Sequence, residues 1–351
     1  MLKVCIIGCG GIGHYHFGHL VQFKDIISLE GFCDLKIERA EFYAEKAGSG
    51  KAYSCYKTMI DEVKPDAVFI CVPPYCHGEI ENYLIDRHIH FFVEKPLALD
   101  METGRQILKR VKEEKIITAV GFQCRYDMIS DPLKDFTSKN EVVYINCTRF
   151  GGVPGAEWWK DKKLSGGQLV EQTIHQLDYI RYTYGEPDTV FSMNAKGFVN
   201  EVEGYDTDDI SVSVVRFKSG ALATVATGCY SQTGDAYDSK TTYSTRDKRL
   251  DMYLLDRIDI FGEVPAEEEA AVGDLVIKGD GGFSAKSKEK QTYKHEGDSG
   301  ILCDRTFLEA VISGDDSKIR SPYEDGLKSV EFALACNKSM ETGLPVKIGE
   351  F

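Results

Sequence analysis

Residues 1–34 read MLKVCIIGCGGIGHYHFGHLVQFKDIISLEGFCD and run strand, glycine loop, helix, strand and acid in that order. Val4 to Ile7 is an apolar run without alternation, the pattern of a strand buried on both faces. Gly8, Gly10 and Gly13 follow at G-x-G-x-x-G spacing, then a helix-compatible stretch, then a second strand ending at Cys33. Asp34 stands 21 positions after Gly13, close to the ~20 expected of a ribose-binding acid. Gly8 suits the tight turn off the strand, Gly10 the close approach of backbone to a pyrophosphate, and Gly13 close helix–sheet packing. Free N–H groups at the helix start then face the phosphates. These residues imply a dinucleotide site. Asp34 accepts hydrogen bonds from ribose hydroxyls and repels a 2′-phosphate, which favours NAD; Lys36 offsets that in part, so NADP stays open.

The remaining 317 of the 351 residues leave room for a second domain. Hydrophobic content of 42% and charged content of 28% are those of a soluble globular chain. No apolar run approaches the ~20 residues of a membrane span, and a first strand at the very start argues against a signal peptide. A net charge of -14 argues against a nucleic-acid surface. The eleven cysteines contain no C-x-x-C and read as small buried hydrophobes in a reducing cytoplasm. His14, His16 and His19 fall within one stretch beside the glycine loop. No neighbouring Cys or acid completes a metal set, so a structural or phosphate-adjacent role is expected and no metal.

Downstream, the apolar strands 67–72 and 89–93 and the strand 116–120 alternate with helices over 35–50, 58–63, 77–87 and 103–115. That order predicts a parallel, doubly wound sheet with ligands at the carboxyl ends of its strands. The glycine loop, Asp34, Pro73-Pro74, Glu94-Lys95 and Gly121-Phe122-Gln123 all lie at such ends. From about residue 122 the pattern changes. Strands at 141–150, 190–195, 210–217 and 221–227 come without intervening helices, apart from one long helix over 168–184, and predict a mostly antiparallel sheet. Residues 232–250 are polar and unplaced, 263–299 read as short strands and loops, and 302–313 and 323–343 as two closing helices.

Two groups of residues carry chemistry. Lys95 ends a buried strand and precedes Pro96, which restricts it to extended geometry; a cis Lys95–Pro96 bond is expected. Glu171 and His175 are four apart on one face of the predicted helix, with Asp178 three further on and placed to orient the imidazole. Ahead of them, residues 149–161 form a Gly/Pro loop with two tryptophans, of which Trp158 is a candidate for stacking on a sugar ring. Arg125 is a further candidate for a substrate hydroxyl or carboxylate.

The segments GCGGIG (8–13), CVPPYCH (71–77), FFVEKPLAL (91–99), GFQCRY (121–126), SGGQLVEQTIHQLD (165–178) and SPYEDGLKS (321–329), with Asp34, give a chain that resembles the Gfo/Idh/MocA family, the glucose–fructose oxidoreductase and inositol dehydrogenase group. The resemblance implies an α/β fold: an N-terminal Rossmann domain, here 1–121, and a C-terminal α+β domain, here 122–351, with an open, mostly antiparallel sheet. That sheet often forms the oligomer interface, so a homodimer or homotetramer is expected. The resemblance also implies NAD(P)-dependent hydride transfer at a hydroxyl carbon of a sugar, cyclitol or related polyol. Lys95 falls on the family lysine that binds the reacting hydroxyl, and His175 on its general acid/base. Glu171 falls where the family usually has Asp. Gly8, Gly10, Gly11, Ile12, Gly13, Asp34, Val72, Pro73, His77, Glu94, Lys95 and Gln123 fall on cofactor-contacting segments, and Lys95, Arg125, Trp158, Glu171 and His175 are the substrate candidates. Three alternatives stay open here: an NAD-dependent glycosidase working by transient oxidation, an NAD-binding sensor without turnover, and reduction of a non-sugar carbonyl or C=C bond.

Overall fold

The computed structural model describes residues 1–262, 275–277, 283–285 and 290–350. Its first half is built as β1 (Leu2–Ile7), α1 (Gly11–Leu20), β2 (Ile27–Cys33), α2 (Ile37–Ala47), β3 (Lys51–Tyr53), α3 (Tyr56–Val63), β4 (Ala67–Ile70), α4 (Glu79–Ile85), β5 (His90–Val93), α5 (Met101–Glu113) and β6 (Thr118–Val120). The six strands form one sheet in the order β3-β2-β1-β4-β5-β6, parallel throughout. The strands read as unbroken apolar runs are covered on both faces: Val4, Cys5 and Ile6 in β1 and all of β4 have no exposed surface.

A second layer follows: α6 (Ser130–Lys139), β7 (Tyr144–Phe150), α7 (Lys162–Ser165), α8 (Gln168–Glu171), α9 (Ile174–Thr183), β8 (Pro187–Ala195), β9 (Ile210–Phe217), β10 (Leu222–Gly228), β11 (Asp238–Ser244), β12 (Arg249–Tyr253) and β13 (Arg257–Phe261). The chain closes with β14 (Leu275–Ile277), β15 (Phe283–Ala285), β16 (Lys290–Lys294), α10 (Ser299–Ser313), α11 (Tyr323–Thr342) and β17 (Val346–Lys347). Nine of these strands form a sheet in the order β16-β13-β12-β11-β7-β10-β9-β8-β17. All its pairings are antiparallel except β7 with β10. The hairpin expected at 217–221 joins β9 to β10, with Phe217 N–H donating to Ala221 O at 2.9 Å.

Two readings change. The polar stretch 232–250, left unplaced, carries β11, which pairs with β7 in the middle of the sheet. The single helix expected over 168–184 is two helices, broken at Gln172 and Thr173, where buried Thr173 turns its hydroxyl to Thr227. Of the stretch 263–299, only β14, β15 and the residues from 290 onward are described; the rest of that reading lies outside the described residues.

The two sheets are tied by the last helices. The first half of α11 packs Tyr323, Leu327 and Val330 into the core of the parallel sheet. Its second half packs Phe332, Ala333 and Cys336 into the core of the mixed sheet. Contact is close: a Cβ on Gly104 would lie 2.4 Å from Leu327 Cδ1. Helix α10 adds Cys303, Phe307 and Leu308 to the core around β1 and β4. The carboxyl ends of the parallel strands are thereby held against the second layer. Among the described residues, no helix is long and apolar enough to cross a membrane.

Candidate active site

The glycine loop is built from the turn outward. Gly8 has φ +94°, and a Cβ there would sit 2.2 Å from Cys71 O. A Cβ on Gly13 would sit 2.0 Å from Gly8 O, so the helix start lies against the strand end. Gly10 and Gly11 differ in kind: a Cβ on either meets nothing within 4 Å. Packing demands glycine at 8 and 13, while at 10 and 11 the backbone borders open space. Gly10 is the N-cap of α1, and no side chain caps that end. A helix start with uncapped N–H groups beside open space fits the pyrophosphate of a dinucleotide. Asp34 completes the cradle, its Oδ2 accepting from Cys9 N–H at 2.9 Å and its Oδ1 from Lys36 N–H at 2.8 Å. Ile12, partly exposed, lies in the first turn of α1. Val72 and Pro73 follow β4 and are half-buried, and Gln123 begins a short turn after β6. His77 is fixed through Nδ1 by Glu81 at 2.6 Å, and its buried Nε2 has no hydrogen-bond partner among the described residues.

Glu94, Lys95 and Pro96 turn off the end of β5, and the Lys95–Pro96 peptide is cis. Lys95 crosses to the second layer. Its Nζ donates to Glu171 Oε1 and to the Glu171 carbonyl, both at 2.9 Å. The other carboxylate oxygen of Glu171 accepts from Trp159 Nε1 at 2.7 Å and from the Gln172 amide. Burial pushes the Glu171 carboxyl up, but the Lys95 ammonium and these donors outweigh it, and the group stays below the usual carboxylate range. His175 stands one turn on, across the helix break, edge-on to Phe122 with ring centres 6.2 Å apart. Its Nδ1 is buried without a hydrogen-bond partner. Burial, then the Lys95 and Arg149 cations, drive its imidazolium down to about 3 against the pull of Glu171. The ring is therefore neutral across the physiological range, with one of its two nitrogens basic.

Two expectations about neighbours are corrected. Asp178 does not orient His175. It accepts from Arg125 Nε at 2.8 Å and from the Ser329 hydroxyl of α11 at 2.6 Å, because the buried Arg125 guanidinium offers it a charge-assisted pair. Arg125 in turn is buried, with its guanidinium shared among Asp178, Asp325 and the Arg320 carbonyl. It is a strut between layers, only 1% exposed and committed to these acceptors. Trp158 keeps intermediate exposure, whereas its neighbour Trp159 is buried and reaches Glu171.

The histidines of α1 also find acids that the local sequence does not contain. His16 Nδ1 lies 2.9 Å from Asp304 and its Nε2 2.9 Å from Glu94, while His19 Nδ1 lies 2.7 Å from Asp304. Burial pushes the His16 imidazolium down, but the flanking Asp304 and Glu94 outweigh it and hold it up at about 10. This network joins α1, the turn bearing Lys95, and α10. Residues missed by sequence reading are thus Trp159, Gln172 and Asp304. Only the doubled tryptophan gave any local signal for one of them.

Residues 2–122 match the Oxidoreductase family, NAD-binding Rossmann fold, and residues 140–348 match its C-terminal alpha/beta domain. A myo-inositol 2-dehydrogenase of Thermotoga maritima is 27% identical over 351 residues, covering 99% of each chain. A scyllo-inositol 2-dehydrogenase (NAD(+)) of Bacillus subtilis is 26% identical, covering 99% of this chain and 96% of its own. Among solved structures, levoglucosan dehydrogenase in complex with NADH and levoglucosan superposes with a TM-score of 0.81 at 18% identity, covering 99% of this chain and 100% of that one. At that identity the likeness shows the fold alone.

Proposed function

This chain belongs to the Gfo/Idh/MocA oxidoreductase family, and we propose that it transfers hydride between NAD and a hydroxyl-bearing carbon of a sugar, cyclitol or related polyol. The observation that carries the reading is the crossing of Lys95 from the ligand end of the parallel sheet to Glu171, beside a neutral His175. When bound, NAD supplies the hydride acceptor at its nicotinamide ring. The protein supplies the rest. Lys95 donates a charge-assisted hydrogen bond to the substrate oxygen and stabilises the alkoxide character that develops there. His175, neutral, accepts the hydroxyl proton on Nε2, since its Nδ1 is buried. Glu171 keeps Lys95 aimed, and Trp159 and Gln172 keep Glu171 in place. Presence of both lysine and histidine favours turnover over a sensor role. Cofactor binding is assigned to residues 1–121 and substrate recognition to 122–351. Inositols, hexoses, sugar phosphates and aminosugars tested with NAD+ and NADP+ should yield NADH absorbance with at least one polyol. Net sugar release without NADH would instead indicate the glycosidase reading.

The low position of His175 predicts an unusual pH profile. Oxidation needs the neutral ring, so activity is lost as pH falls through the imidazolium value. With that value at about 3, kcat/KM for oxidation should show no acid limb near the ordinary ~6.5 of histidine. A limb there that vanishes in His175→Gln would contradict the buried, cation-flanked ring.

The open face of the mixed sheet favours a homo-oligomer. In β9 the inward residues include Ser211 and Ser213, while Val212 and Val214 are 43% and 46% exposed. Solvated sheets alternate the other way, with polar residues outward. Phe191, Met193 and Leu222 on the neighbouring strands extend this apolar area. Light scattering should find a dimer or tetramer, and Val212→Glu with Val214→Lys should give a folded monomer. A wild-type monomer would reject the assignment. With nine of eleven thiols buried and none in a disulfide, the chain suits the reducing cytoplasm.

A further inference from the structure

The loop after β7 borders an open cavity of about 560 Å³, a size suited to a substrate-sized ligand, and Gln176, the residue after His175, reaches its wall. Its walls include Arg149, Pro154, Gln176 and Tyr237. The glycines of the loop keep it tight: a Cβ on Gly151 would lie 3.0 Å from Arg149 Nη1, and one on Gly152 would lie 2.7 Å from the Tyr237 hydroxyl.

Arg149 stands out by its partners. The buried arginines of the second layer have carboxylates: Arg125 pairs with Asp178 and Asp325, and Arg181 with Glu186 and Asp325. Arg149 has only neutral ones, Gln172 Oε1 at 2.5 Å and Cys229 Sγ at 3.4 Å, and no ion pair among the described residues. Close by, Gln176 is buried with its Oε1 unpartnered, while its Nε2 donates to Ser239 Oγ at 3.3 Å. The charges around His175 do not cancel. Lys95 and Arg149 are two cations and Glu171 one carboxylate, in a chain of net charge -14. Asp238 also borders the cavity, but it is exposed at the rim and accepts from the Thr148 hydroxyl. Solvent and salt screen it more than they screen the half-buried Arg149.

Building on the dehydrogenase reading, we infer that this cavity receives an anionic substituent of the polyol substrate, a carboxylate or a phosphate, with Arg149 as its counter-ion and Gln176 accepting from an adjoining hydroxyl. Guanidinium is the side chain whose planar fork matches either anion. Sequence reading gave a possible carboxylate contact to Arg125; the ion pairs of that residue exclude it, and Arg149 is the arginine that borders the cavity.

The test uses matched neutral and acidic substrates with NAD+: glucose, glucuronate and glucose 6-phosphate, and myo-inositol with inositol 1-phosphate. Binding of the same compounds to the NADH complex is measured by calorimetry. The acidic member of at least one set should be preferred, and the uronate and phosphate arms tell carboxylate from phosphate. Arg149→Gln should lower the acid-to-neutral ratio of kcat/KM by roughly 10- to 100-fold, the range of a hydrogen bond to a charged group. Arg149→Lys should restore part of it. Should Arg149→Gln fail to fold, salt gives the same information in the wild type: KM for the acid should rise with NaCl while KM for its neutral partner stays flat. Turnover of neutral polyols with no preference for acids overturns this inference and leaves the dehydrogenase reading intact. An equal loss on both in Arg149→Gln overturns it too, and makes Arg149 a prop for Gln172. No NAD+ reduction by any member, neutral or acidic, with no binding to the NADH complex, is instead a failure of the dehydrogenase reading.

Discussion

Lys95→Ala should lower kcat for polyol oxidation by roughly 10²–10³-fold, the cost of removing one donor from a developing oxyanion. Binding of NADH, followed through the fluorescence of the two tryptophans, should change by no more than a few-fold. The asymmetry follows from where the side chain goes. The lysine backbone belongs to the turn after β5, but its ammonium is spent on Glu171 in the other layer, 2.9 Å away. The glycine loop and Asp34 are untouched by the change. A secondary effect accompanies it. Glu171 is only 7% exposed and loses its Lys95 partner, so its carboxyl should rise toward or beyond the ordinary range. Turnover equal to that of the wild type would remove Lys95 from the mechanism.

The second large effect separates binding from folding within one loop. Gly13→Ala forces a Cβ to within 2.0 Å of the Gly8 carbonyl, a backbone atom that cannot step aside. It should cost about 3 kcal/mol or more of stability, in the range of severe overpacking, and appear as a lower Tm. Gly10→Ala meets no protein atom within 4 Å, and its φ of -84° suits alanine. Its Tm should match the wild type, while NADH affinity falls roughly 10- to 100-fold, because the methyl occupies the space where the pyrophosphate approaches the backbone. Equal effects of the two substitutions on both measurements would mean that the open space beside Gly10 is not the phosphate site.

The parallel half of the fold was legible because each signal is local. An apolar run without alternation marks β1 and β4, and the acid after β2 needs only to be counted from the glycines. Residues 210–217 alternate and form β9 with those same bounds. The polar strand β11, DSKTTYS, has no such signature; what makes it a strand is its pairing with β7, about 90 residues earlier in the chain. The break between α8 and α9 was hidden because apolar residues continue through it, and the hydroxyl pair of Thr173 with Thr227 that accompanies it spans 54 residues. Of the candidate site, the strand-end position of Lys95 and the spacing of Glu171 and His175 were readable. The electrostatics were not. Whether Asp178 serves His175 or Arg125, and whether His16 has an acid beside it, depends on contacts 53 and 288 residues apart. The depressed His175 likewise depends on burial and on cations delivered by β5 and β7.

The central claim is that Lys95 and His175 together serve direct hydride transfer from a carbinol carbon. It is tested by incubating the protein with NAD+ and a polyol turned over in the panel, deuterated at the oxidised carbon, in ordinary water. Deuterium should appear at C4 of the reduced nicotinamide, and that product should be lost in both Lys95→Ala and His175→Gln. Deuterium released to the solvent, or undiminished labelling in either variant, would contradict it.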